Sequence, residues 1–150
     1  MLKRIPDFMD ADLLWVLAAM GHGDDLAVVD RNFPARSIAL QTRSQRFVSL
    51  GGMDAPRTVA GLLELMPLDS FVAQPLAWMD PVDTPGVTLP VHADVMAACR
   101  AAEGREIAHR VIARVDFYDV AKRCFAVVQN SESRPYGCFI LTKGVVFEPK

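Results

Sequence analysis

Apolar side chains recur one helical turn apart in two stretches of the chain, each placed behind a helix-starting residue. The first follows Asp10 and runs to about Met20, after which Gly21 is a natural helix stop. The second follows Asp54 and ends before Pro67, because proline cannot continue a helix. The apolar positions are Leu13, Leu14, Leu17 and Met20 in the first predicted helix and Val59, Leu62, Leu63 and Met66 in the second.

Short apolar runs bounded by polar or turn-forming residues predict β-strands elsewhere. We expect strands at residues 26–29, 70–79, 111–115, 125–128 and 138–141, and further helices at 91–103 and 116–123. The pattern over residues 31–52 is ambiguous. Strands mixed with helices predict an α/β fold, in which helices pack on a central sheet. Since no repeat or long linker divides the chain, we expect one domain over residues 1–150.

Composition narrows the class of protein. The 18 acidic and 16 basic residues leave a net charge of −2, which gives no electrostatic reason to expect a nucleic acid or an anionic membrane as partner. No apolar run approaches the roughly 20 residues of a membrane span, so we expect a soluble, cytoplasmic protein. Cys99, Cys124 and Cys138 are odd in number and have no close pair, so they are expected to be buried thiols. His92 and His109 have no metal-binding spacing, and we expect no metal.

Candidate chemistry lies in Gly21-His22-Gly23-Asp24. The two glycines permit a tight turn, and an imidazole can give and take a proton near neutral pH. Asp24, Asp25 and Asp30 follow within eight residues, and a carboxylate can orient the ring or raise its pKa. Asp30 also lies at the end of a predicted strand, where open α/β sheets tend to place ligands. The alternative is a surface loop with a helix cap and solvated acids, and spacing alone does not exclude it.

Short motifs along most of the chain together resemble those of a known protein family. Met20-Gly21-His22-Gly23-Asp24 precedes Asp30-Arg31-Asn32-Phe33-Pro34-Ala35, and the similarity continues through Pro67-Leu68-Asp69-Ser70, Phe117-Tyr118, Phe125-Ala126-Val127-Val128, Tyr136-Gly137 and Lys143-Gly144-Val145. In this order the motifs resemble the D-ribose pyranase / L-fucose mutarotase family (RbsD/FucU), and specifically its fucose branch.

That resemblance implies a cofactor-free isomerase that interconverts the ring forms of a reducing monosaccharide, with an α/β fold and a ring-shaped assembly, commonly a decamer, whose sites lie at subunit boundaries. It implies that His22 is the catalytic acid/base. The substrate-binding residues that it implies are Asp30, Asp69, Arg114, Tyr118, Tyr136, Gly137 and Cys138.

Four of these binding residues also have a structural interpretation. Asp69 could cap a turn, Tyr118 could be a core aromatic, Arg114 an exposed strand residue and Tyr136 a turn residue. Cys138 departs from the family, whose members usually have Asn there, and cysteine is a poor hydrogen-bond donor. This departure keeps a second function open, namely a non-catalytic sugar-binding or sugar-transport accessory protein.

The branch of the family that the motifs resemble indicates which sugar is preferred. The ribose branch usually carries Gly-His-Thr-Asp and Asp-x-x-Leu-Pro, whereas this chain has Gly23 and Phe33 at the differing positions. We therefore expect a fucose-like sugar to be preferred over ribose. Phe33 and Trp78 could provide an apolar surface for the methyl group of a 6-deoxy sugar, although Trp78 could equally belong to the core.

Overall fold

The computed structural model describes residues 2–149 as a six-stranded mixed sheet between two layers of helices. The predicted α/β class is confirmed. The elements in chain order are α1 (Ala11–Ala19), β1 (Asp25–Val29), α2 (Ala35–Ala39), β2 (Arg46–Leu50), α3 (Ala55–Leu62), β3 (Leu76–Met79), α4 (Pro90–Glu103), β4 (His109–Ile112), α5 (Arg114–Lys122), β5 (Ala126–Asn130) and β6 (Phe139–Thr142).

Local capping explains why the helix predictions succeed. The Asp10 carboxylate accepts a hydrogen bond from the Leu13 backbone N–H at 2.9 Å, and Asp54 accepts one from Arg57 N–H at 3.0 Å. The predicted stop of α1 is wrong in one detail. Met20 already leaves the helix in an extended conformation, and the left-handed glycine of the following turn is Gly23, with φ 86°.

Strand pairing overrides three local predictions. β4 begins two residues earlier than predicted and ends at Ile112, since it pairs in parallel with β3. The α5 helix then begins at Arg114, so this residue is not part of a strand. The predicted strand over 70–79 shortens to β3, and the ambiguous region 31–52 forms α2 and β2.

The order of the strands is β2-β5-β1-β6-β3-β4, and β6 runs antiparallel to its neighbours β1 and β3. In this register Asp25 of β1 faces Thr142 of β6, and Val28 faces Phe139. The start of β1 therefore lies beside the end of β6, and the end of β1 lies beside the start of β6. These two ends of one strand hold the chemistry described below.

Alternate residues of each strand face two separate cores. One core packs beneath α1, α3 and α4 and includes Leu76 and Trp78 of β3. The other packs beneath α2 and α5 and includes Ala77 and Met79. All three cysteines are buried and unpaired, as expected. Within residues 2–149, no helix has the length and apolar character needed to cross a membrane.

Candidate functional site

His22 forms a pair with a buried carboxylate at the start of β1. Its ring atom Nε2 lies 3.0 Å from Asp69 Oδ1, while its side chain is 46% exposed and Asp69 is 1% exposed. Because a carboxylate only accepts hydrogen bonds, Nε2 carries a proton in this pair, and a neutral ring then has its free lone pair on Nδ1. Sequence reasoning sought the orienting carboxylate among Asp24, Asp25 and Asp30, and the structure assigns it to Asp69 instead.

Hydrogen bonds keep Asp69 ionised. Burial works to raise the pKa of Asp69, but the bonds from Phe71 N–H and His22 outweigh it, and the pKa lies below its ordinary value. Phe71 N lies 3.1 Å from the same Oδ1 that faces His22. Asp69 therefore holds a turn, as its structural interpretation predicts, and at the same time presents a negative charge to the imidazole.

Lys143 and Gly144 hold both halves of the His22–Asp69 pair. The Lys143 ammonium lies 2.7 Å from the carbonyl of Leu17 and 2.5 Å from that of Met20, and so caps the end of α1. The backbone carbonyl of Lys143 accepts a hydrogen bond from Gly23 N–H at 2.9 Å. At Gly144 a Cβ would lie 2.8 Å from Asp69 Cα, so only glycine lets the chain of Asp69 approach this closely.

Exposed apolar side chains lie on one side of the pair. The Phe71 ring lies 5.2 Å from the His22 ring and 6.4 Å from the Phe147 ring, centroid to centroid. Phe71, Val72, Val146 and Phe147 are each between 45% and 75% exposed, and we call these four residues the Phe71 patch. An exposed patch of this kind next to a polar pair is typical of an interaction surface.

Asp30 lies at the other end of β1, in a pocket of about 280 Å³. Its Oδ1 accepts hydrogen bonds from the backbone N–H groups of Asn32 at 3.0 Å and Phe33 at 3.1 Å, and the residue is 5% exposed. These bonds form a turn that closes the strand end and fixes the carboxylate. The pocket is lined by Asp30, Asn32, Phe33, Met79, Arg114, Tyr118, Pro135, Tyr136 and Cys138.

Aromatic rings and a guanidinium form one wall of this pocket. Phe33 stacks on Tyr118 with ring centroids 5.4 Å apart, and Arg114 at the start of α5 lies 5.9 Å above the Tyr118 ring. Tyr118 is half-buried, so its ring packs against the core while its position lets it contact a ligand. Such a wall combines an apolar ring face with groups that donate hydrogen bonds to hydroxyls.

Tyr136, Gly137 and Cys138 form the facing segment. Tyr136 adopts a left-handed backbone with φ 61°, and a Cβ at Gly137 would lie 2.9 Å from Glu132 Cγ. Burial raises the pKa of the Cys138 thiol well above its ordinary value, and the nearby charge of Asp30 raises it further. Cys138 is therefore a neutral thiol beside Asp30 and not a nucleophilic thiolate.

The structure does not bring all the predicted residues together. Asp30, Arg114, Tyr118, Tyr136 and Cys138 share one pocket, with Gly137 between the last two, whereas His22 and Asp69 lie at the opposite end of β1. Five residues of β-strand span roughly 15 Å. Within one subunit, His22 and Asp30 therefore do not lie in the same pocket.

Two further residues differ from what the sequence predicted for the lining of the pocket. Met79 lines it and was missed, although its position at the end of a strand next to Cys138 is the kind of place where ligands bind. Of the two interpretations of Trp78, the structure supports the core residue and not the wall for a sugar methyl group, because Trp78 is 2% exposed and faces the other core. Within residues 2–149 no group of three or more His, Cys, Asp or Glu side chains could hold a metal.

Fold and site together define a three-layer α/β protein whose polar and aromatic groups suit a small ligand rich in hydroxyls. The chain belongs to the RbsD / FucU transport protein family, whose model matches residues 3–146. It is 38% identical to the fucose mutarotase of Homo sapiens over 148 aligned residues, and the aligned region covers 97% of this chain and 94% of that protein.

Solved structures agree with this assignment. FucU from Bifidobacterium longum superposes with a TM-score of 0.87 at 34% identity and covers 95% of this chain and 99% of its own. The fucose mutarotase in complex with L-fucose from Streptococcus pneumoniae superposes with a TM-score of 0.85 at 32% identity, covering 97% and 100%. The resemblance to the family that the motifs indicated is confirmed.

Proposed function

We propose that this protein is a cofactor-free mutarotase that opens and recloses the ring of a reducing monosaccharide such as L-fucose. The His22–Asp69 pair carries the proposal, since it supplies a partly exposed imidazole with a defined proton position. Relatives named fucose mutarotase, one of them solved with L-fucose, support the same activity.

The chemistry requires two proton transfers. Opening the ring removes a proton from the anomeric hydroxyl and delivers one to the ring oxygen, and closing reverses both. An imidazole suits both directions, and a positioned acid/base group contributes about 10²–10⁴-fold. Nδ1 of His22 takes the proton of the anomeric hydroxyl, Asp69 stabilises the imidazolium that forms, and this imidazolium then gives the proton to the ring oxygen. Asp30, Arg114, Tyr118 and Tyr136 bind the sugar hydroxyls.

A complete site needs a second copy of the chain, because the pocket and the His22–Asp69 pair lie at opposite ends of β1. The Phe71 patch around His22 is the surface on which the pocket of a neighbour would dock. A head-to-tail arrangement closes into a ring when the rotation between neighbours is a whole fraction of a turn, and the ring-shaped decamer implied by the family stays a prediction, as does the cytoplasmic location.

The central experiment measures the exchange between L-fucose anomers by saturation-transfer NMR. We expect His22→Ala to lower exchange by at least about 10²-fold, as is typical of the loss of an acid/base group. His109→Ala is the matched control, since this half-buried histidine lies on β4 and stacks on Trp78, away from both sites. Exchange near the wild-type rate in folded His22→Ala would remove His22 from the mechanism.

Mixed assemblies test the shared site. If His22→Ala and Asp30→Asn are each inactive, random co-assembly at equal amounts should restore about a quarter of the sites, because each site then draws its two halves from different subunits. The mixture staying as inactive as its components would refute a site shared between subunits, as would a stable monomer with full activity.

The second candidate function is sugar binding without turnover, and Cys138 is the observation that favours it. A thiol is a weaker donor than the usual Asn amide at this position, so a contact to a sugar hydroxyl would be lost. Saturable sugar binding with no exchange above the uncatalysed rate would establish this function and reject the mutarotase.

A further inference from the structure

His92 is a buried polar group outside the two sites described above. It is the third residue of α4, it is 0% exposed, and its ring lies parallel to that of Trp78 at 4.9 Å and edge-on to Phe139 at 5.9 Å. A polar ring buried among apolar groups is unfavourable unless hydrogen bonds satisfy both of its nitrogens.

Both ring nitrogens have backbone partners, and the partners differ in kind. Leu89 N–H donates to Nδ1 at 3.1 Å, so Nδ1 carries no proton. Nε2 lies 2.9 Å from the carbonyl oxygen of Tyr136, so Nε2 carries one. Only the neutral ring protonated at Nε2 satisfies both, and burial, which lowers the pKa of His92, favours that neutral form.

The bond to Tyr136 falls where the backbone needs support. Tyr136 has a left-handed φ of 61°, which is unfavourable for a residue with a bulky side chain and persists only when its surroundings hold it. The side chain of the same residue lines the pocket that holds Asp30. His92 itself is packed in the core beneath α4, on the opposite side of the sheet from that pocket.

We propose that His92 is a positioning residue for the sugar pocket: its Nε2–H fastens the Tyr136 carbonyl and so sets the direction of the Tyr136 side chain. His92 does not contact the ligand and takes no part in proton transfer. The proposal rests on the proposed function only in that the Asp30 pocket receives the sugar.

Two substitutions by amide side chains distinguish between the two hydrogen bonds of His92. His92→Gln places an N–H donor at the distance of Nε2 and can keep the Tyr136 bond, whereas His92→Asn places an acceptor at the distance of Nδ1 and can keep only the Leu89 bond. Loss of one such hydrogen bond should raise the KM for L-fucose about tenfold in His92→Asn. His92→Gln should stay within about twofold of wild type in KM, and saturated exchange should change little in both.

Tyrosine NMR supplies a readout that needs no turnover. The chain has two tyrosines, so ¹³C-labelled tyrosine gives two sets of ring signals, assigned with Tyr118→Phe. We expect the Tyr136 signals to shift in His92→Asn and to stay in His92→Gln, with Tyr118 unmoved in both. Equal loss of sugar affinity in the two variants, in step with their melting temperatures, would overturn the proposal and leave His92 a purely structural residue.

A measurement on the unaltered protein guards against variants that do not fold. ¹⁵N NMR of the histidine rings should show His92 neutral with its proton on Nε2, and a proton on Nδ1 would overturn the proposal. Wild-type protein that binds fucose without anomer exchange would refute the mutarotase alone, because sugar affinity and the tyrosine signals still test His92.

Discussion

The role of Asp69 can be tested by removing its charge while keeping its shape. Asp69→Asn keeps an oxygen that can accept from both His22 Nε2 and Phe71 N–H, as Oδ1 does at 3.0 and 3.1 Å in the wild type. The orientation of the imidazole should therefore survive. What disappears is the negative charge beside the ring when His22 takes up the anomeric proton.

The size of the effect follows from the kind of hydrogen bond that is lost. A bond to a charged partner contributes about 1 to 1.5 kcal/mol more than a neutral one, and His22 is too exposed for a larger coulombic gain. That difference corresponds to about a tenfold lower rate of anomer exchange. Asp69→Ala also removes the orientation of the ring, so its rate should fall by about 10²-fold or more.

A double-mutant cycle distinguishes positioning from sugar binding by Asp69. If Asp69 acts through His22, exchange in the protein carrying both His22→Ala and Asp69→Ala should equal that of His22→Ala alone. NMR exchange rates at several fucose concentrations give the saturated rate and the KM for each variant. Additive losses, with a higher KM in every protein that lacks Asp69, would refute the positioning role and favour the substrate contact implied by the family.

Three other outcomes follow from the structure. Burial raises the pKa of Glu132, but bonds from Arg134 and Ala55 N–H outweigh it and hold the pKa at about 2, below the ordinary 4.5. Because its pKa is depressed, ionised Glu132 stabilises the fold above about pH 4.5, and this stability is lost as the pH falls towards 2. Glu132→Gln should therefore lower the free energy of unfolding by roughly 3 kcal/mol at pH 7. Denaturant titrations that give the same difference between wild type and Glu132→Gln at pH 2.5 would contradict this. Lys143→Met should slow anomer exchange and lower the melting temperature by freeing the end of α1, and Lys143→Arg should retain most of both. L-fucose should exchange faster than D-ribose and D-galactose under one set of conditions, because Phe33 offers an apolar contact for a methyl group that these two sugars lack and that supports about 10–200-fold discrimination; a faster rate with D-ribose would reverse the branch assignment.

Local signals explain which parts of the fold could be predicted from sequence. Asp10 and Asp54 cap the helices that they were expected to cap, because a capping bond spans only three residues. The limits of β4 could not be predicted in this way. His109 and Arg110 show no apolar run, and they become strand residues only because β3 offers them a parallel partner more than 30 positions earlier in the chain.

The same contrast between local and distant contacts explains the site. The types of residue at the two ends of β1 were predictable, since a glycine turn with a histidine and a strand-end aspartate are both written in short motifs. Their separation was not, because His22 and Asp30 are eight positions apart in sequence and five of those between them form a strand. A strand points its two ends in opposite directions, so the two ends of β1 cannot contribute to one site within a single subunit. In the shared site that we propose, the motif contributes one half to each of two sites, and a mixed assembly of inactive variants therefore tests the proposal more directly than any single substitution.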